Sequence, residues 1–211
     1  MTPGTLQSLL SGWVNVPLPT LDMRARSLRA AGMLTTKGRG LSAAEVTESD
    51  ATNLLLVAVL VFERGADIAA EVRRVREMPL IGQHYASGSY PDPTATESNT
   101  ADALHFLAGL SICECTQAGE ALDSIFADMR SGEFGAWAQG VPVDVIVNYH
   151  APNDRISVFI DRPDFRKGVL LSYGNALDVV SPVERVTTIR RIVFSDIAAK
   201  MDMENKEARA S

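Results

Sequence analysis

Thr20-Leu-Asp-Met-Arg-Ala-Arg-Ser-Leu-Arg-Ala-Ala-Gly-Met-Leu-Thr-Thr-Lys-Gly-Arg-Gly40 reads as a short basic helix stopped by a glycine, followed by a glycine-punctuated basic loop. Thr20 offers an N-cap oxygen. Leu21, Ala25 and Leu28 fall at i, i+4 and i+7 as one apolar stripe, while Arg26 and Arg29 share a second face with Asp22. Gly32 supplies the left-handed residue that closes a helix, and Gly38 and Gly40 let residues 35–40 fold back tightly. A helix that enters a DNA groove followed by a loop along the backbone is the order of a winged helix-turn-helix. On that reading Arg24, Arg26 and Arg29 face bases or phosphates, and Lys37 and Arg39 of the wing grip the adjacent backbone.

The charge is unevenly distributed in the same sense. Residues 1–42 hold those five cations against Asp22 alone, a balance of +4, whereas the whole chain carries −6, which leaves −10 for residues 43–211. Gathered cations raise affinity for a duplex through phosphate contacts and counterion release, and an acidic remainder opposes indiscriminate sticking. An acidic chain as a whole is therefore compatible with double-stranded DNA as partner.

With 211 residues and 46% hydrophobic content the chain is long enough to bury a core. Its longest apolar run, Leu54 to Phe62, is well short of the roughly 20 residues a membrane helix needs. The first residues lack the basic start and apolar centre of a signal peptide, so the expectation is a cytoplasmic protein with no membrane partner. Cys113 and Cys115 lie two apart in a stretch read as helical, a spacing that sends side chains to different faces and favours buried thiols over a disulfide or a metal site.

Outward from the basic segment, Thr5 to Gly12 reads as a first helix with Trp13 and Val14 as core anchors, and Pro17 and Pro19 punctuate the turn that follows. Thr47-Glu-Ser-Asp50 is box-like and opens an apolar helix, Ala51 to Phe62, with almost no polar side. Such a helix is buried on all faces, by the rest of the chain or by other copies, which makes residues 47–78 the expected oligomer seam. Asp67 caps a further helix with Ile68, Val72 and Val75 inward and Glu71, Arg73, Arg74, Arg76 and Glu77 outward.

From Pro79 to Asn99 the composition turns to Gly, Ser, Pro and Thr, which reads as a linker. Helical character resumes near Thr100, with Leu104, Leu107, Ile112, Leu122, Ile125, Phe126 and Met129 as core; residues 111–115 fit a helix or a brief strand. Beyond Gly140 the period becomes two. Val143, Val145 and Val147, a turn at 151–154 and Ile156 to Ile160 make a hairpin, and Val169 to Tyr173 a third strand. Ser181-Pro-Val-Glu184 opens a closing helix with Val186, Ile189, Val193, Ile197 and Met201 on one face, and residues 204–211 read as a frayed polar tail. The fold class expected is α+β: a winged helix-turn-helix-like head with oligomerisation helices over 1–78, a linker over 79–99, and an α+β domain over 100–203 whose small antiparallel sheet is covered by the terminal helix.

Catalytic signatures are missing. His84, His105 and His150 are scattered without metal-ligand spacing, and there is neither a Gly-x-Ser-x-Gly elbow nor a Walker loop. Asp161 and Asp164, which flank Arg162 and Pro163, read as turn carboxylates rather than a nuclease metal pair. Tyr149, Phe159, Phe165 and Tyr173 read as core rather than a base-stacking platform, because Arg155, Arg162, Arg166 and Lys167 match no RNA-binding signature. The sequence therefore points to a protein that is not an enzyme and uses no cofactor or metal.

Residues 20–41, continued by Ser42-Ala-Ala-Glu-Val-Thr-Glu-Ser-Asp-Ala-Thr-Asn-Leu-Leu-Leu, resemble a pattern found in bacteriophage and prophage proteins of uncharacterised activity. In that pattern a helix ending Arg-x-Ala-Gly-hydrophobic leads to Thr-x-Gly-Arg-Gly and then to a capped Asp-Ala-x-x-Leu-Leu helix. The resemblance covers about a fifth of the chain. It implies a winged-helix-like head on a phage-derived protein. The module order, head, helical middle and C-terminal sheet, is also similar to phage small terminase subunits, which form rings that recognise viral DNA for packaging; residues 183–201 depart from them in reading as helix.

The function expected is a non-enzymatic DNA-binding regulator of phage or prophage origin, oligomeric, with a possible phage or host protein partner on the C-terminal domain. Its rivals are a small terminase subunit and an acidic protein-binding module that does not touch DNA.

Overall fold

Thr2 caps the first helix, its hydroxyl accepting from the Thr5 N–H at 3.3 Å, and α1 runs Pro3–Val14. The helix passes through Gly12, where the sequence suggested an end, because the left-handed turn is taken by Asn15 at φ 52°. Trp13 is consequently carried to the surface at 38% exposure instead of anchoring the core. In the computed structural model, which describes residues 1–36, 45–87, 103, 105–151, 155–162, 167–174 and 185–210, six more α-helices and five strands follow.

Helix α2 (Leu18–Ala30) starts behind Pro17 with Pro19 in its first turn, earlier than the Thr20 cap expected, since a first-turn proline has no intrahelical amide to lose. It ends as read: Gly32 has φ +70°, and the Met33 N–H reaches back to the Leu28 carbonyl at 2.9 Å. Helix α3 (Glu48–Val59) carries the capping box, Thr47 and Asp50 each bonding the other's backbone N–H, and every residue from Asp50 to Val59 is buried. Helices α1, α2, α4 (Ile68–Arg76) and α5 (Ala118–Ser131) surround it. The apolar girth of α3 is thus satisfied inside one chain, and no second copy is needed to cover it.

The segment read as a linker begins with a strand. Strand β1 (Leu80–Ser87) is the edge of a five-stranded antiparallel sheet in the order β1-β4-β3-β2-β5, with β2 Asp144–Ala151, β3 Arg155–Arg162, β4 Lys167–Gly174 and β5 Arg185–Arg190. Its entry is stitched down by Ala118 N–H to Met78 O at 2.9 Å, Leu80 N–H to Thr116 O at 2.8 Å and Gly174 N–H to Pro79 O at 2.9 Å. Residues 88–102 lie outside the described residues.

The expected hairpin and third strand are present, β2 and β3 pairing with Val147 opposite Val158 and β3 and β4 with Val158 opposite Leu171. Gly168 permits a close approach there: a Cβ on it would stand 2.8 Å from the Phe159 ring. The closing helix begins later than read. Residues 185–190 pair with β2 as β5, and the helix, α7, runs Arg191–Ala210 through the stretch expected to fray. Ile189 therefore reaches the core from a strand, whereas Ile197 and Met201 reach it from the helix.

Residues 111–114 form a 3-10 turn, the alternative neither helix nor strand anticipated, and α6 (Glu133–Ala138) follows α5. Cys113 and Cys115 are free thiols of intermediate exposure, not buried ones, because that turn runs along the surface. One hydrophobic cluster spans both halves of the chain, from Leu6, Leu54 and Val72 to Phe126, Val158, Tyr173 and Phe194. Two ion pairs cross the expected boundary as well: Arg76 meets Asp123 through two bonds of 3.1 and 2.7 Å, and Arg130 meets Glu48 at 2.6 Å. Arg76, read as a solvated charge, is thereby tied to α5.

Candidate nucleic-acid interface

The buried stripe of α2 is the one read from the sequence, Leu21, Ala25 and Leu28 at no more than 1% exposure. It fixes which arginines can reach a partner. Arg26 projects outward, its side chain 74% exposed and paired with Asp22 one turn earlier. Exposed Met23 lies on the same outer face, and Arg29 occupies the last turn, where a cation complements the helix dipole.

Arg24 points the other way. Its Nη1 donates to the carbonyl of Val57 on α3, and its guanidinium lies over the Phe62 ring, 4.7 Å from the centroid. Burial lowers its pKa from the ordinary arginine value, as stripping water from a cation disfavours the charge. Arg24 therefore fastens α2 to α3 and is not gathered with Arg26 and Arg29. Lys37 and Arg39 lie outside the described residues.

The flanks of the basic loop are held by α3. The Asp50 carboxylate, 2% exposed, accepts from the Thr35 N–H at 2.7 Å while it completes the capping box through Thr47 N–H at 3.0 Å. Asn53 donates to the Met33 carbonyl at 2.6 Å, and beyond the loop the Val46 N–H donates to Met1 O at 2.9 Å. Asp50 thus does more than the capping pattern announced. A buried Asp and Asn in an apolar helix was the available signal, because buried polar groups demand partners.

Helices α1, α2, α3 and α4 account for the head, and no strand occurs among the described residues before Pro79. Among the described residues no group of three or more His, Cys, Asp or Glu side chains could hold a metal ion, and no helix is long and apolar enough to cross a membrane. His105 is exposed, and His84 lies on β1.

A second polar array, which the sequence did not single out, lies on the sheet face turned away from the helices. His150 Nε2 and Ser157 Oγ are 3.0 Å apart, Arg155 donates to Ser172 Oγ at 2.9 Å, and Thr188 donates to Asn148 Oδ1 at 2.7 Å. Register aligns Thr188, Asn148, Ser157 and Ser172 across four strands. On the same face Phe159 is buried, while Tyr173 is buried on the core face, so neither offers a stacking platform. Phe165 and Asp164 lie outside the described residues.

Comparison with protein-family models, with curated proteins and with solved structures finds no match for this chain. What the coordinates define is a mixed α+β chain with a basic surface helix packed on a buried one.

Proposed function

We propose that the chain is a DNA-binding protein that acts without catalysis, a regulator of the phage or prophage kind implied by its resemblance. Helix α2 is the reading element, with Arg26 and Arg29 toward the duplex and Lys37 and Arg39 on the neighbouring phosphates. Arg24 takes no part in contact and holds α2 at its angle on α3. The observation that carries this reading is the outward face of α2: in a chain of net charge −6, its buried side is complete and Arg26 remains 74% exposed. Phosphate contacts from such a stripe position a protein on DNA, and base contacts from the same helix specify sequence.

Fluorescence anisotropy of labelled duplexes across a salt series tests it. The double variant Lys37→Ala/Arg39→Ala weakens binding evenly across sequences and lowers the salt slope by about 2, one per lost phosphate contact. Arg26→Ala or Arg29→Ala at a base-reading position costs about 1–3 kcal/mol and relaxes sequence preference. Wild-type protein without salt-sensitive affinity for any duplex, or double variants Arg26→Ala/Arg29→Ala and Lys37→Ala/Arg39→Ala that bind as wild type does, would overturn the proposal.

A further inference from the structure

A cleft of about 470 Å³ opens between the N-terminal helices and the sheet edge, with Leu55, Ala58 and Val59 of α3 at its floor and Thr187 and Ile189 of β5 opposite. Trp13, exposed at 38%, and Val61, exposed at 58%, line it too. This is the size and texture of a small-molecule site, within the roughly 300–1,000 Å³ usual for such clefts. Among the described residues of its lining Arg24 is the only charged side chain. One of that guanidinium's five N–H donors goes to the Val57 carbonyl, and among the described residues no carboxylate pairs with it. The Thr187 hydroxyl, across the cleft on the edge strand of the described sheet, is half-buried and likewise bonds to no described group.

An apolar cleft with a single partly desolvated cation has a definite complement. Its apolar walls strengthen whatever meets the partly desolvated guanidinium, while the planar donor fork matches the two oxygens of a carboxylate. A neutral apolar ligand would leave those donors without an acceptor. A polyanion such as a nucleotide would leave the apolar walls unmatched.

We propose that this cleft binds a small aliphatic monocarboxylate, its carboxylate on Arg24 and its hydrocarbon tail against Leu55, Ala58, Val59 and Phe62. Binding needs nothing from the outward face of α2, so the site stands or falls separately from DNA contact. It does sit on the back of that helix: a ligand on Arg24 changes how α2 is held.

Sodium octanoate titrated into the full-length protein, followed by calorimetry and by tryptophan fluorescence, tests the assignment, with 1-octanol as the uncharged counterpart. Octanoate binds saturably and at least about tenfold more tightly than octanol, as a charge-assisted pair at a partly desolvated cation requires. Trp13→Phe keeps the calorimetric binding and abolishes the fluorescence response; Trp137 lies elsewhere, against Phe134. Arg24→Met erases the preference for octanoate over octanol, and Ala58→Phe, which fills the floor while keeping the cation, weakens both. Should Arg24→Met unfold, Arg24→Lys, which keeps the charge and loses the planar fork, and Ala58→Phe decide instead. No saturable octanoate binding, an octanoate preference that survives both Arg24→Met and Arg24→Lys in full, octanoate affinity untouched by Ala58→Phe, or a fluorescence response that survives Trp13→Phe would overturn the proposal.

Discussion

Single side chains in this protein settle questions of placement that their neighbours in sequence cannot. Asp128 of α5 is buried and accepts from both the N–H and the hydroxyl of Ser111, at 2.8 and 2.7 Å, so it pins the 3-10 turn. Burial raises its pKa above the ordinary carboxylate value of 3.8, outweighing the two Ser111 bonds that pull it down, with Glu133 adding a little upward. A raised carboxyl favours the folded state in its protonated form, a contribution present below 3.8 and lost as pH rises through the higher folded value. Asp128→Asn keeps a donor and an acceptor for Ser111 and removes the titration. Urea melts at stepped pH are expected to show wild type losing stability relative to Asp128→Asn as pH climbs from below 3.8, with the difference levelling off once Asp128 is ionised. At Gly119 the constraint is steric: a Cβ would stand 2.8 Å from Arg76 Cβ, on the seam closed by the Arg76–Asp123 pair. Overpacking there costs about 1–3 kcal/mol against the roughly 1 kcal/mol that alanine gains over glycine in a helix, so Gly119→Ala is expected to lower the melting midpoint.

Among the elements, α5 joins the head to the C-terminal helix. It touches α3, α4, α6 and α7 and carries both ion pairs to the head. Its packing on α7 centres on Phe126 and Phe194, both fully buried with ring centroids 5.0 Å apart. Phe194→Ala removes a ring that the surrounding helices and sheet cannot collapse to replace, and an unfolding free energy lower by about 3–5 kcal/mol is expected in chemical denaturation. The strands were legible where alternation was clean, as in β2 and β3. Strand β5 was not, because Val186, Ile189 and Val193 fit a helical period as well as a strand followed by a helix, and what recruits 185–190 is the free edge of β2. Strand β1 hid for the same reason: Leu80 to Ser87 has weak strand character of its own, and β4 supplies the partner.

For the molecule as a whole, the continuous core and the two cross-boundary ion pairs predict that head and body fold together. The chain carries a reporter in each, Trp13 in α1 and Trp137 in α6, so Trp13→Phe and Trp137→Phe each leave one half visible. Thermal melts of the two variants are expected to report one shared transition once each is referred to its own circular dichroism. Two separated midpoints would instead show units that unfold independently.

Local chemistry was enough to write the Gly32 stop and the buried stripe of α2, the capping box of α3, the Asp67 cap of α4 and the β2–β3 hairpin into the sequence, since each depends on residues within a turn or two of one another. The fate of Arg24 was not written there. The sequence placed Arg26 and Arg29 on one face with Asp22 but gave all three arginines the same role, and only the arrival of the Val57 carbonyl and the Phe62 ring, more than thirty residues away in the chain, turned Arg24 inward. The same holds for β1 and β5, which exist as strands because a neighbour offers unpaired backbone groups, and a backbone partner at that distance leaves no trace in local periodicity.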